Sequence, residues 1–294
     1  MKSSIFNLTY SIIILIAFLP ACKEVGPNIV LRPNHNAVFD TTYIESPVAI
    51  PELKNVVIED FTGVKCTNCP QGHQIIELLK AANPNRIIAL AMHPRNSLGL
   101  PVALPPSYAV NPDLRNDKVQ DLFANYFGQT SQPIAAIDRK LFPGETNILI
   151  DKGTWTNHAN QEIALATPLN IELTTSFDST SRELTIATEL HYTQNVSEEN
   201  KMTIVLVENA ITASQVDGIV VDTFYQHKDV VRDFITDTRG DAIAMPHDAG
   251  RVIIKIYKTT LAAAWKPENM KVAAYVHEYV NSKIVYQGKE VDVE

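Results

Sequence analysis

A strand-like run that leads into a pair of cysteines and then into a helical pattern constrains this chain most. Residues 56–61 (Val-Val-Ile-Glu-Asp-Phe) are rich in β-branched and apolar side chains, and Cys66 and Cys69 follow in a Cys-x-x-Cys arrangement. Residues 69–82 then carry apolar side chains at helical spacing. This order of strand, loop and dithiol at a helix start predicts a redox-active cysteine pair.

The first 21 residues indicate a targeting segment that is not part of the fold. Lys2 supplies a positive charge, and residues 10–19 form an apolar run of roughly ten residues, shorter than the ~20 that span a bilayer. A Leu-Pro-Ala-Cys box that ends at Cys22 resembles the processing site of bacterial lipoproteins, in which the chain is cut before a cysteine that carries lipid. We predict a lipoprotein signal peptide over residues 1–21 and lipidation of Cys22, with an ordinary secretory signal as the alternative.

Export and lipidation have two consequences for the chemistry. An exported protein meets an environment in which disulfides persist, and acyl chains hold a protein on a membrane without spanning it. Lipidation of Cys22 removes one of the three cysteines from the thiol count, so Cys66 and Cys69 remain as the one candidate pair.

The overall charge argues against nucleic acid as a partner. The chain has 25 Lys and Arg against 33 Asp and Glu, a formal net charge of −8, and it has no basic stripe. Its hydrophobic fraction of 45% is typical of a globular protein, and its length suits two domains. Nothing in the sequence calls for a cofactor.

Two structural domains are predicted behind a tether. Residues 22–52 hold prolines and few periodic apolar positions, which is typical of a linker. In the α/β domain, residues 53–167, an apolar run at 86–92 predicts a buried strand parallel to 56–61, with the helix 69–82 as a right-handed crossover. Residues 113–127 predict a second helix, and residues 134–137 a third strand.

Beyond residue 167 the periodicity changes from helical to alternating. Residues 169–177 and 184–192 alternate apolar and polar side chains across a polar turn, which predicts a hairpin with one buried face. Further short strands are predicted at 202–207, 251–257 and 270–277. Many short strands without long helices predict that residues 168–294 form an all-β domain, an antiparallel β-sandwich of immunoglobulin-like type.

The dithiol has the surroundings of a reactive pair. Cys66 at the first turn of a helix would meet unpaired backbone N–H groups, which favour its thiolate, and Lys65 adds a nearby cation. Cys66 is therefore predicted to be the exposed attacking thiol, and Cys69 the resolving thiol. Pro70 falls in the first turn of the helix, where the absence of an N–H group costs little.

The same order of elements resembles the thioredoxin fold. The resemblance implies that Asp60, six residues before Cys66, is buried under the dithiol and accepts the proton of Cys69. Alternatively, Asp60 and Glu59 only cap the loop. The resemblance also implies that Pro133, just before the third strand, follows a cis peptide bond, faces the dithiol and holds substrate backbone.

A more specific resemblance rests on segment 59–73, in which Glu-Asp-Phe-Thr-Gly is followed by Cys-x-Asn-Cys-Pro and a histidine, together with residues 113–128 and Pro133. These motifs resemble the outer-membrane-protein-28-related lipoprotein family. The resemblance implies a thioredoxin-like domain followed by a β-rich domain, and attachment to the outer membrane of a Gram-negative bacterium on its periplasmic or surface face. It says little about substrate.

We expect a thiol–disulfide oxidoreductase that acts on dithiols or disulfides of cell-envelope or surface proteins. One alternative is a copper or zinc site formed by Cys66, Cys69, His73 and His93, because thiolates and imidazoles suit both metals. Another is a cell-surface binding or structural lipoprotein in which the two cysteines form a structural disulfide.

Overall fold

The computed structural model describes residues 37–105 and 111–293. The predicted signal peptide and Cys22 lie outside the described residues. Within these ranges, no helix has both the length and the apolar character needed to cross a membrane. The described part of the chain is mostly β-structure arranged in several sheets.

The strands are numbered here in chain order. They are β1 (Ala37–Ile44), β2 (Val56–Phe61), β3 (Ile87–Met92), β4 (Ile134–Ile137), β5 (Leu149–Ile150), β6 (Leu169–Asp178), β7 (Glu183–Tyr192), β8 (Asn200–Glu208), β9 (Ile211–Asp217), β10 (Val220–His227), β11 (Val230–Phe234), β12 (Asp241–Ala242), β13 (Arg251–Thr260), β14 (Met270–Glu278) and β15 (Val285–Asp292). The helices are α1 (Cys69–Ala82), α2 (Asp117–Asp121) with a π-helical turn (Leu122–Tyr126) directly after it, α3 (Trp155–Glu162) and a 3₁₀ turn (Pro267–Asn269).

The strands form three sheets. The largest has nine strands in the order β15-β14-β8-β11-β3-β2-β4-β5, with β12 pairing beside β8. A four-stranded sheet has the order β1-β13-β7-β6, and β9 and β10 form a separate hairpin. The four-stranded sheet packs on β8 and β14 through a core that includes Leu173, Ile186, Ile204 and Val272.

Strand β2 lies at the centre of the part that carries the dithiol. It runs parallel to β3, with Val56 opposite Ile87, and antiparallel to β4, with Phe61 opposite Ile134. Helix α1 connects β2 to β3, so the predicted crossover is confirmed, and α1 has the predicted bounds. All six residues of β2 are buried, as expected for a strand covered on both faces.

The largest sheet continues across the predicted domain boundary. Strand β3 belongs to the predicted unit 53–167 and β11 to the predicted unit 168–294, yet they are parallel neighbours, with Val230 opposite Ala91. The backbone N–H of Ala91 also donates to the carbonyl of Asp229 at 2.7 Å. The two predicted units therefore share one sheet, and the boundary itself stays a prediction.

Two sequence-based predictions differ from the structure. The predicted tether 22–52 contains strand β1, which pairs antiparallel with β13. In this strand, Asp40 forms an ion pair of 2.6 Å with the fully buried Lys255. The predicted helix 113–127 begins only at residue 117. Asn116 has an extended backbone, and its side chain accepts hydrogen bonds from the N–H groups of Lys118 and Val119, which fixes the helix start there.

A buried ion pair joins β2 to the strands of the second half. Arg139 donates to both carboxylate oxygens of Glu59 at 2.7 Å, and the Tyr275 hydroxyl donates to the same carboxylate at 3.0 Å. The side chains of Arg139 and Glu59 are 0% and 1% exposed. Since a buried charge without its partner is very costly, this pair makes β2 and the turn after β4 interdependent, and the Tyr275 hydrogen bond extends this dependence to β14.

We expect Glu59→Gln to lower the free energy of unfolding by about 3–5 kcal/mol, because the guanidinium of Arg139 would remain buried without a counter-charge. Urea denaturation measures the change. Glu183→Gln is the matched control, since the Lys258–Glu183 pair is about half exposed, and it should cost less than about 1 kcal/mol. Equal effects of the two substitutions would contradict this account.

Candidate functional site

Cys66 and Cys69 are joined by a disulfide, with their Cα atoms 5.4 Å apart. The sequence predicted Cys66 in the first turn of a helix. Helix α1 begins only at Cys69, so Cys66 lies in the turn before the helix. The N–H of Cys69 donates to the carbonyl of Cys66 at 3.2 Å, and this bond closes the turn. Pro70 does occupy the first turn of α1, as predicted.

Both cysteines are covered. Cys66 is 3% exposed and Cys69 0%, whereas the sequence predicted an exposed attacking thiol at Cys66. The cover comes from the β9–β10 hairpin, which lies over 140 residues later in the chain and is bonded to the loop that carries the dithiol. These bonds run from the N–H of Val216 to the carbonyl of Val64 (2.8 Å), from the N–H of Gly218 to the carbonyl of Thr67 (3.0 Å) and from the Gln215 side-chain amide to the carbonyl of Cys66 (3.3 Å).

The segment after β3 closes the dithiol loop from another direction. The N–H of Lys65 donates to the carbonyl of Leu98 at 2.7 Å. A Cβ atom on Gly63 would lie only 2.7 Å from that carbonyl oxygen, so this close approach of two backbone segments requires glycine at position 63. The segment after β3 thus forms part of the wall around the dithiol loop.

Asp60 is a buried acid without a hydrogen-bond partner. Its side chain is 1% exposed, and among the described residues neither carboxylate oxygen has a hydrogen-bond donor. Its neighbours on the adjacent strands, Ala91 and Ala135, offer none because their side chains are methyl groups. Burial raises the pKa of Asp60 to about 8, so this carboxyl group is mainly protonated at neutral pH.

His73 ties helix α1 to the hairpin. Its Nε2 shares a hydrogen bond with the Thr62 hydroxyl, and its Nδ1 shares one with the Tyr225 hydroxyl, both at 2.8 Å. Burial, helped by the nearby His227, lowers the pKa of His73 to about 4. His73 Nε2 lies 3.7 Å from Asp60 Oδ2, and because both groups are neutral near pH 7 we regard this contact as a packing contact between neutral groups and not as an ion pair.

The four residues of the alternative metal site, Cys66, Cys69, His73 and His93, do not form a group of metal ligands in this disulfide form. The cysteines are bonded to each other, and both ring nitrogens of His73 are engaged. His93 is buried with its Nδ1 at 3.3 Å from the carbonyl of Ala91, and burial lowers its pKa well below the ordinary value. Among the described residues, one group of potential metal ligands has its ligand atoms within 4.8 Å of one another. It lies on the four-stranded sheet and comprises Glu172, Glu189 and His191.

Pro133 follows a cis peptide bond, as predicted. Its Cβ is 3.8 Å from the position that a Cβ on Gly72 would take, which puts Pro133 beside the first turns of α1. The preceding Gln132 donates through its side-chain amide to the carbonyl of Thr62 and accepts from Asn96 at 3.0 Å. The structure therefore brings Pro133, the dithiol loop and the segment after β3 together.

Sequence reasoning missed the residues of the hairpin. Tyr225, His227 and Gln215 all contact the site, and His227 lies with its ring centroid 4.8 Å from that of Tyr225 and 5.9 Å from that of His93. They are far from the cysteines in sequence, and nothing in their own spacing marks them.

Comparison with known proteins places the chain in a family. A family model described as outer membrane protein Omp28 matches residues 120–293, more than half of the chain. The chain belongs to the Omp28 family. The description of this family supports the expected outer-membrane location. The matched residues begin after the dithiol and include the β9–β10 hairpin.

Solved structures share the fold at low sequence identity. HBP35 of Porphyromonas gingivalis aligns with 82% of this chain and 76% of its own chain, at 19% identity and a TM-score of 0.61. Protein AGR_C_4864 from Agrobacterium tumefaciens aligns with 83% of this chain and 96% of its own, at 12% identity and a TM-score of 0.50. Among curated proteins, no match was found.

The pKa of Asp60 makes stability depend on pH. This pKa rises from 3.8 to about 8 on folding, so between these values the folded state binds more protons and stability falls as pH rises. The histidines with lowered pKa values, among them His73 and His227, have the opposite effect, because the unfolded chain binds more protons at these groups than the folded protein until the pH is well above 6.5. The contribution of Asp60 is therefore the difference in slope between wild type and a variant that lacks this carboxyl group.

We expect the free energy of unfolding of wild type, relative to that of Asp60→Asn, to fall between pH 6.5 and 8 by up to about 1.4 kcal/mol per pH unit, because only wild type carries the proton that Asp60 holds. Urea denaturation at a series of pH values measures it. Asp117→Asn, at a carboxylate whose side chain is 77% exposed, is the control and should keep the wild-type slope. The same slope in Asp60→Asn and wild type would show that Asp60 ionises normally.

Proposed function

We propose that this protein is an exported thiol–disulfide oxidoreductase, in which Cys66 and Cys69 cycle between disulfide and dithiol. The observation that carries the proposal is a disulfide at the start of α1, one short loop after a strand that carries a buried acid, Asp60, without a hydrogen-bond partner among the described residues. Its substrates would be dithiols or disulfides of cell-envelope or surface proteins. A lipid on Cys22 would hold the protein on the outer membrane.

The arrangement around the dithiol supports a thioredoxin-like unit over residues 53–167. Strand β2, helix α1 and strand β3 follow one another as a parallel crossover, and β4 pairs antiparallel with β2 after the cis peptide bond at Pro133. Asp60 and Pro70, the residue after Cys69, line the same cavity, so the acid lies near the start of α1, where the dithiol is. For residues 168–294 we propose the immunoglobulin-like sandwich.

The exchange reaction would run in two steps. The Cys66 thiolate attacks one sulfur of a substrate disulfide, and the other substrate sulfur leaves as a thiolate and takes up a proton. Cys69 then transfers its proton to the Asp60 carboxylate and attacks Cys66, which releases the second substrate sulfur. Two electrons pass from the protein dithiol to the substrate, and the reverse sequence oxidises a substrate dithiol.

Access to Cys66 sets a further requirement. At 3% exposure the Cys66 sulfur cannot meet a folded substrate while the β9–β10 hairpin is bonded to the dithiol loop. Exchange therefore requires the hairpin to move away. Only a few bonds hold it to the loop, and strands of a two-stranded hairpin are marginally stable on their own.

Serine variants test the proposed function. We expect the reduced protein to reduce insulin disulfides, Cys66→Ser to abolish this activity, and Cys69→Ser to accumulate mixed disulfides because the resolving thiol is missing. Gel analysis under non-reducing conditions detects the trapped species. If wild type and the Cys66→Ser/Cys69→Ser double variant behave alike in both assays, the proposal is wrong.

The burial of both cysteines also favours a second candidate function. A cell-surface binding protein would keep Cys66 and Cys69 as a structural disulfide that braces the loop under the hairpin. Structural disulfides resist reduction much more strongly than catalytic ones, so the reduction potential of the pair separates the two candidates.

A further inference from the structure

A cavity lies beside the dithiol, between helix α1 and strand β10. Its volume is about 470 Å³, within the range of sites for small organic ligands. Helix α1 contributes His73 and Glu77 to its wall, and β10 contributes Tyr225. Asp60, at the end of β2, is also part of the lining.

Short side chains on β3 create the space. Ala91 lies directly opposite Asp60 in the sheet, and Ala89 precedes it on the same face. Both alanines line the cavity, where larger residues would fill it. Together with Ile76 and the ring of Tyr225, they give the cavity an apolar wall suited to a hydrocarbon group.

The unpartnered carboxyl group of Asp60 points to a ligand. An acid that is 1% exposed normally receives hydrogen bonds, since an unsatisfied buried polar group is costly. Among the described residues none donates to either oxygen of Asp60. A ligand in the cavity that donates hydrogen bonds would satisfy this group.

The charges around the cavity favour a cation. Of the acids in its lining, Glu77 is paired with Lys228 and Asp229 with Lys80. Asp60 and Asp217 have no Lys or Arg partner among the described residues. The cavity therefore has two uncompensated carboxyl groups and no free positive charge, which disfavours anions.

We propose that this cavity binds a small organic cation, with an ammonium group at Asp60 and the hydrocarbon part against Ala91 and Tyr225. Such a site goes beyond thiol–disulfide exchange and does not depend on it. A charge-assisted hydrogen bond between an ammonium group and a buried carboxylate is about twice as strong as a neutral one, which gives the site its selectivity.

Binding would be linked to proton release. Burial raises the pKa of Asp60 to about 8, so near neutral pH the acid must lose a proton to pair with the ammonium group. Affinity should rise with pH from 6.5 to 8 and level off above. The titratable and charged groups that face Asp60 or the cavity come from α1, the end of β3 and the hairpin: His73, Glu77, His93, Asp217, Tyr225, His227, Lys228 and Asp229.

Three probes of matched shape test the proposal by isothermal titration calorimetry with the full-length protein. They are 2-phenylethylammonium, the neutral 2-phenylethanol and the anionic 3-phenylpropanoate. We expect the ammonium to bind at least about 10-fold more tightly than either of the others, with release of one proton near pH 7. Equal affinities, or no ammonium binding at about 10 mM, would overturn the proposal.

Variants locate the binding site. Asp60→Asn should lower the ammonium affinity about 10-fold or more, to the level of the alcohol, and abolish proton release. Ala91→Leu should fill the cavity and weaken all three probes, which keeps the test valid if Asp60→Asn fails to fold. Asp222→Asn, on the same hairpin but outside the cavity lining, should leave the three affinities and the proton release unchanged.

The double variant Cys66→Ser/Cys69→Ser separates this proposal from the exchange reaction. Ammonium binding should survive in it, because the two sulfurs are not part of the cavity lining. The probe would bind elsewhere if Ala91→Leu left the ammonium affinity unchanged. The same would follow if Asp222→Asn lowered this affinity as much as Asp60→Asn does.

Discussion

Strand β2 is buried on both faces, and it carries two adjacent acids, Glu59 and Asp60, just before its last residue. Successive side chains of a strand point to opposite faces, so the two carboxyl groups face different environments. Glu59 meets Arg139 and Tyr275 and is fully paired. Asp60 meets alanines on both neighbouring strands and has no hydrogen-bond partner within residues 37–105 and 111–293. The rest of the site depends on this difference, because it stabilises the sheet on one face and leaves a buried acid without a hydrogen-bond donor on the other.

The second half of the chain completes the site that the first half begins. The β9–β10 hairpin covers Cys66, and its Tyr225 shares a hydrogen bond with His73 on α1. The pairing of β11 with β3 positions this hairpin, since β10 leads into β11 through a short turn. The matched family region contains the hairpin but not the dithiol, so the region that the family model matches and the cysteine pair meet at this contact. A sheet that continues from one half into the other keeps the two in register.

Local patterns were sufficient to predict the elements that carry the dithiol. The bounds of β2, α1 and β4, the parallel crossover and the cis bond at Pro133 all follow from periodicity, proline position and resemblance to a known fold. Contacts between distant residues were not predictable in this way. The alternation that marks a strand does not say which strand it pairs with. The sequence therefore predicts a tether where β1 lies, and it does not predict the sheet that the two halves share.

The site was predicted in part for the same reason. Cys66, Cys69, Asp60 and Pro133 lie in one region of the fold, but the exposure predicted for Cys66 was wrong because the covering hairpin comes from the other end of the chain. Likewise, the free carboxyl group of Asp60 depends on which residues are absent around it. A sequence lists the groups that are present, while burial and missing partners appear only in three dimensions.

The central claim is that Cys66 and Cys69 form a catalytic redox pair and not a structural disulfide. The reduction potential of the full-length protein, measured by equilibration with glutathione buffers, tests it most directly. A catalytic pair should have a potential between about −120 and −270 mV, the range of disulfide exchange proteins. A value below about −300 mV is typical of a structural disulfide and would contradict the account.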